Sequence, residues 1–139
     1  MTFRRFQISF IFMLLRQPKL RKILTARKLK AVDEYISAYV KFYPNKVDKI
    51  ILFGSQARKK ARPDSDLDLL MVANMADSQL RPLSPLWQKA VSLADEIDYK
   101  YNYRIGISPK LISKNYFNKW SPFMQNVWRE GLALWERKK

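Results

Sequence analysis

The chain has 139 residues, the length of one domain, with 27 Lys plus Arg against 12 Asp plus Glu and a net charge of +15. A hydrophobic content of 47% excludes a wholly disordered chain. The absence of Cys and His excludes disulfide frameworks, zinc ribbons, thiol catalysis, Ser-His-Asp hydrolysis and His-ligated metals, so any catalysis rests on carboxylates, Lys, Tyr, Ser or a carboxylate-bound metal.

The charge is uneven. Residues 1–30 hold nine basic residues and no acid, and residues 31–139 hold the other 18 basic and all 12 acidic ones. Such a shift marks a boundary, so residues 1–30 read as a basic and apolar N-terminal extension and 31–139 as the folded domain. Phe6 to Leu15 is apolar but far shorter than the roughly 20 residues a membrane-spanning helix needs. Arg4 and Arg5 resemble the start of a signal peptide, yet no small-x-small cleavage site follows. A surface or partner-binding arm, a signal and an upstream extension all fit, and the dispensable extension fits best.

From Ala26 to Phe42, Leu29, Val32, Ile36 and Val40 recur at steps of three and four, which predicts an amphipathic helix stopped by Pro44. Val47–Phe53 is a β-branched apolar run ending in Gly54 and predicts a buried strand. A short basic helix is predicted from Gln56 to Ala61, a turn at Pro63-Asp64-Ser65, and a second buried strand over Leu67–Ala73. Ser84-Pro85 opens a helix through Ile97. Tyr101 to Ile107 reads as a third strand closed by Ser108-Pro109, with Tyr99, Tyr101 and Tyr103 on one face. Ser121-Pro122 opens a last helix running to Gly131, and Leu132 to Trp135 reads as a final strand. The class is α/β or α+β, a small mixed sheet flanked by helices.

One stretch carries chemistry: Gly54-Ser55-Gln56-Ala57-Arg58, then Ser65-Asp66-Leu67-Asp68-Leu69. A strand that runs through Gly-Ser into a helix presents unpaired N–H groups to an anion. Gly54 permits close approach of a phosphate, Ser55 adds a hydroxyl, and Arg58 lies one helical turn on. Asp66 and Asp68 are two apart at a strand start, which puts both carboxylates on one face and Leu67 and Leu69 on the other. Two carboxylates on a rigid strand suit Mg²⁺, which also takes phosphate oxygens. Gly-Ser alone is usually a turn and Asp-x-Asp often only solvates a strand end. Their combination, with a buried strand on each side, describes a nucleoside-triphosphate site.

This pattern resembles the DNA polymerase β-like nucleotidyltransferase superfamily in its minimal nucleotidyltransferase branch. Phe123 through Leu134, with its Glu130-Gly131 and apolar run, is similar to the family's closing helix and strand. The resemblance covers about residues 31–139 and implies the polymerase β-like fold. It implies that Gly54, Ser55 and Arg58 hold the phosphates of ATP or another nucleotide, and that Asp66 and Asp68 are catalytic and hold Mg²⁺. It implies transfer of a nucleoside monophosphate to an acceptor hydroxyl with release of pyrophosphate, two metal ions serving the attacking and leaving oxygens. It further implies a cytoplasmic protein paired with a HEPN-type toxin, some relatives being antitoxins that adenylylate a toxin tyrosine.

One departure stands out. The family's third carboxylate belongs on the third strand, where counting back from Ser108-Pro109 reaches Tyr103. Between Asp98 and Glu130 the chain has no Asp or Glu, which leaves Asp98 as the nearest candidate. Two carboxylates suffice for one metal–triphosphate, but a weakly held second metal costs on the order of several kcal/mol of transition-state stabilisation. The alternative reading is therefore a catalytically impaired protein of the same fold that neutralises a partner or binds RNA weakly. The run Arg58-Lys59-Lys60-Ala61-Arg62 fits a grip on triphosphate or RNA as well as a solvated helix face. The four Trp residues fit base stacking less well than core or interface.

Overall fold

The computed structural model describes residues 18–57, 66–77, 80–81 and 84–137. Four strands, β1 (Val47–Phe53), β2 (Leu67–Ala73), β3 (Ile107–Ser113) and β4 (Leu132–Glu136), form one sheet in the order β3-β2-β1-β4. β1 pairs antiparallel with β2 and with β4, and β2 pairs parallel with β3. The sheet is therefore mixed, and the parallel step needs a long crossover. Helix α4 (Pro85–Lys100) supplies it, following α1 (Pro18–Ile23), α2 (Ala26–Phe42) and α3 (Gly54–Ala57) and preceding α5 (Lys114–Asn118) and α6 (Pro122–Glu130).

The main core lies between one sheet face and helices α2 and α4, with Leu52, Leu67, Leu69 and Met71 meeting Val32, Ile36, Ala90 and Leu93. Ile51 and Leu70 on the other face meet Met124 and Val127 of α6. Thr25, Ser84 and Ser121 each accept a backbone N–H at the start of α2, α4 and α6, a cap that contributes about 1 kcal/mol apiece. Tyr35 and Tyr39 are fully buried, and their hydroxyls donate to the carbonyls of Ala90 (2.9 Å) and Leu86 (2.8 Å). Burial raises both phenol pKa values, so these groups stay neutral donors and bolt α2 to α4.

Two expectations need correction. The boundary after residue 30 cuts through α2. Leu20 and Leu24, on its N-terminal side, are buried in the main core, and full burial of a Leu contributes about 1.5–3 kcal/mol. The packed fold therefore reaches back to Pro18, and residues 1–17 lie outside the described residues. The third strand is not Tyr101–Ile107. Residues 101–103 form a turn after α4, and the strand is Ile107–Ser113, with Pro109 inside it. Proline is tolerated there because β3 is an edge strand, where a missing N–H breaks no ladder. Asn102 and Tyr103 both adopt φ +58°, so the three tyrosines share no strand face. The expected basic helix spans Gly54–Ala57, and residues 58–65 lie outside the described residues. No helix among the described residues is long and apolar enough to cross a membrane.

Candidate active site

The end of β1, the start of β2 and the approach to β3 meet at one rim of the sheet. Phe53 is opposite Asp68 in the antiparallel ladder, and Asp68 is beside Ser108 in the parallel one. Leu67 and Leu69 are fully buried in the main core, so alternation turns Asp68 to the opposite face. Asp66 is exposed, one residue before the strand.

A glycine abuts each carboxylate. Gly54 has φ +77°, and a Cβ there would collide with Asp68 Oδ2. Gly106 has φ +72°, and a Cβ there would stand 2.7 Å from Asp66 Oδ1. Both positions need glycine twice over, for the left-handed backbone and for the space the carboxylate takes. The loop before β3 is fixed by hydrogen bonds: Gly106 N donates to Asp98 Oδ1 (2.8 Å), Tyr103 N to the Asp98 carbonyl (2.6 Å), and Leu67 N to the Gly106 carbonyl (2.8 Å).

Of the residues the sequence singles out, Gly54, Asp66 and Asp68 come together. Ser55 takes the second position of α3, and Arg58 lies outside the described residues. Asp98 sits near the end of α4, where its carboxylate holds the Gly106 amide. Tyr103 is 71% exposed in the turn, its ring packed edge to face on Tyr99 at 6.0 Å. It is not the strand neighbour of the aspartates. That place belongs to Ser108, followed on the same face by Lys110, whose Nζ stands 4.9 Å from the Phe123 ring centre. Phe123 packs in turn on Phe53 at 5.6 Å. Misplacing β3 hid these two residues from sequence reasoning. Among the described residues no three acidic side chains cluster.

Two carboxylates at a strand start, with glycine backbone pressed against each, are a donor set of the kind Mg²⁺ takes together with phosphate oxygens. Two carboxylates would leave most of an octahedral shell to other oxygens.

A family model described as "Polymerase beta, Nucleotidyltransferase" matches residues 34–139. The chain belongs to this family. As a minimal polymerase β-type nucleotidyltransferase it is similar to the Methanocaldococcus jannaschii protein named "Putative protein adenylyltransferase MJ0604". The two are 32% identical over 109 residues, which cover 76% of this chain and 96% of that protein. Among solved structures, a putative nucleotidyltransferase from Sulfolobus solfataricus is 14% identical with a TM-score of 0.49, covering 94% of this nucleotidyltransferase and 87% of that chain. A toxin-antitoxin structure with AMP-PNP is 21% identical with a TM-score of 0.47, covering 74% of this chain and 72% of that one.

Proposed function

We propose that this nucleotidyltransferase transfers AMP from ATP to a hydroxyl on a protein, with a HEPN-type toxin as the partner it neutralises. The observation that carries the reading is the placing of Asp66 and Asp68 against Gly106 and Gly54 at the rim where β1 runs into α3. The name of the M. jannaschii relative supports an adenylyl group and a protein acceptor.

In this reading the Gly54–Ser55 backbone receives the β- and γ-phosphates, where close approach is free of any side chain at residue 54. Arg58 answers their charge. Mg²⁺ bound by Asp66 and Asp68 would screen the triphosphate and favour its reaction with an oxygen nucleophile. The acceptor oxygen bonds to the α-phosphorus, the bond from that phosphorus to the bridging oxygen breaks, and pyrophosphate leaves with the electron pair. The hydroxyl proton passes to solvent. Gly106 and Asp98 hold the Asp66 side of the site in place, and Phe53 and Phe123 wall off the Asp68 side.

The test is to incubate the protein with α-labelled ATP, Mg²⁺ and the product of the adjacent reading frame. Label on that product, lost in Asp66→Ala plus Asp68→Ala, supports the reading, and its absence refutes it. One observation favours a second reading. β3 offers Ser108 and Lys110 beside Asp68, where an acid would complete a two-metal site. A neutralising partner with an impaired site then acts by binding alone, and its neutralisation is indifferent to both aspartates and to Mg²⁺.

A further inference from the structure

Tyr103 lines a cleft of about 440 Å³ that opens on the Asp66 side of the site, together with Thr25 and Arg27 of the α2 start and Gly106 before β3. We propose that the Tyr103 ring is the platform on which the base of the bound nucleotide stacks. The proposal rests on the reading of Asp66 and Asp68 as the nucleotide site and adds to it the place of the base.

Direction comes first. Gly54 follows β1, Gly106 precedes β3, and β2 lies between those strands in the sheet. Gly54 abuts Asp68, and Gly106 abuts Asp66. Two strand spacings, roughly 10 Å, separate β1 from β3. A triphosphate with its β- and γ-phosphates at Gly54 and its α-phosphate over the aspartates points its nucleoside toward Gly106. The cleft lies on that side, and its volume is within the range of small-ligand pockets.

The backbone at residue 103 comes next. Asn102 and Tyr103 both hold φ +58°. Asparagine tolerates the left-handed region, whereas a bulky aromatic there is an outlier. Burial of the ring does not compensate for it, because Tyr103 is 71% exposed. Glycine would make the same turn without that strain. The turn is nonetheless held firmly. Tyr103 N donates to the Asp98 carbonyl, Gly106 N donates to the Asp98 carboxylate, and Ile105 between them is buried. A strained side chain that the surroundings enforce and the core does not use is of the kind kept for a ligand.

The chemistry of the ring then selects the ligand. An open aromatic face takes the flat π surface of a nucleobase and does so with little regard to which base it is. Tyr99 meets Tyr103 edge to face at 6.0 Å, a contact that sets the tilt of the ring while leaving most of its surface open. Asp98 thus places the stacking ring and, through Gly106, the Asp66 carboxylate from one point at the end of α4.

The experiment titrates the full chain calorimetrically, with Mg²⁺ present, against ATP and against inorganic tripolyphosphate, which carries the phosphates without a base. Tyr103→Gly lowers ATP affinity at least about fivefold and leaves tripolyphosphate affinity within about twofold of the wild type. Tyr103→Phe, which keeps the ring face, retains ATP affinity within about twofold. In thermal denaturation Tyr103→Gly melts no lower than the wild type, since it relieves the strain at φ +58°. Unchanged ATP affinity in Tyr103→Gly, as expected if the ring serves a protein partner instead, overturns the proposal. So does an equal loss for ATP and tripolyphosphate, a loss of ATP affinity in Tyr103→Phe, or a lowered melting temperature in Tyr103→Gly. The nucleotide reading fails separately: it is refuted if Asp66→Ala plus Asp68→Ala binds ATP and tripolyphosphate as the wild type does, whatever residue 103 contributes.

Discussion

Asp68 occupies the space that a side chain at Gly54 would need. The contact joins the end of β1 to the start of β2 and sets the carboxylate where the chain turns into α3. Gly54→Ala has to push Asp68 aside and also hold φ near +77° with a Cβ. The expected cost is about 1–3 kcal/mol of stability. Affinity for Mg²⁺–ATP falls at least tenfold, because the displaced group is a proposed metal ligand. Thermal denaturation and a nucleotide titration check the two effects.

Asp98 acts through Gly106. Its Oδ1 accepts the Gly106 amide, and Gly106 backs onto Asp66. Asp98→Ala leaves that N–H without its acceptor and costs about 1–2 kcal/mol. Asp98→Asn keeps an accepting oxygen and costs less than half of that. If Asp98 served instead as the third metal carboxylate, the Asn variant would lose Mg²⁺-dependent nucleotide binding as fully as Asp66→Asn. We expect it to retain that binding, and the two titrations compared side by side decide.

Sequence patterns located β1, β2 and β4 and helices α2, α4 and α6, because the signals for these are local. Ser-Pro pairs open α4 and α6, the stripe through Leu29, Val32 and Ile36 defines α2, and β-branched runs define the inner strands. The Gly54 and Asp66–Asp68 motif was legible for the same reason. What was missed depends on tertiary placement. Pro109 reads as a strand terminator until the sheet order puts β3 on an edge. The burial of Leu20 and Leu24 follows only once α1 lies on the core, so composition alone misjudged the boundary.

Asp48 is a buried carboxylate whose Oδ1 accepts from Arg137 Nε (3.0 Å) and from a terminal guanidinium nitrogen (2.7 Å). Its Oδ2 has Lys114 at 3.9 Å. The pair ties the end of β4 to the start of β1, far along the sheet from the aspartate rim. Arg137→Met leaves the buried Asp48 carboxylate with Lys114 at 3.9 Å as its remaining cation and lowers stability by about 2–3 kcal/mol. Adding Asp48→Asn removes that charge and recovers part of the loss. Chemical denaturation of the single and double variants reads both values.

Asp33 on α2 is buried, and its Oδ1 has no hydrogen-bond partner among the described residues. Burial, with a smaller contribution from the neighbouring Glu34, raises its pKa from 3.8 to about 6. The folded state thus holds this proton more tightly than the unfolded chain. The stability it contributes is complete below pH 3.8 and is lost as pH rises through about 6. Asp33→Asn removes that dependence. Relative to the wild type, the variant gains almost nothing near pH 3 and about 3 kcal/mol at pH 7. A stability difference that stays flat between these pH values contradicts the assignment.

The central claim is that Asp66 and Asp68 jointly hold a metal–nucleotide. Calorimetric titration of ATP into the protein, with and without Mg²⁺, tests it most directly when the wild type is compared with the folded Asp66→Ala plus Asp68→Ala variant. We predict Mg²⁺-dependent binding in the wild type and at least a tenfold loss in the variant. ATP binding that is indifferent to Mg²⁺ and to both substitutions, or no binding by the wild type, contradicts the account.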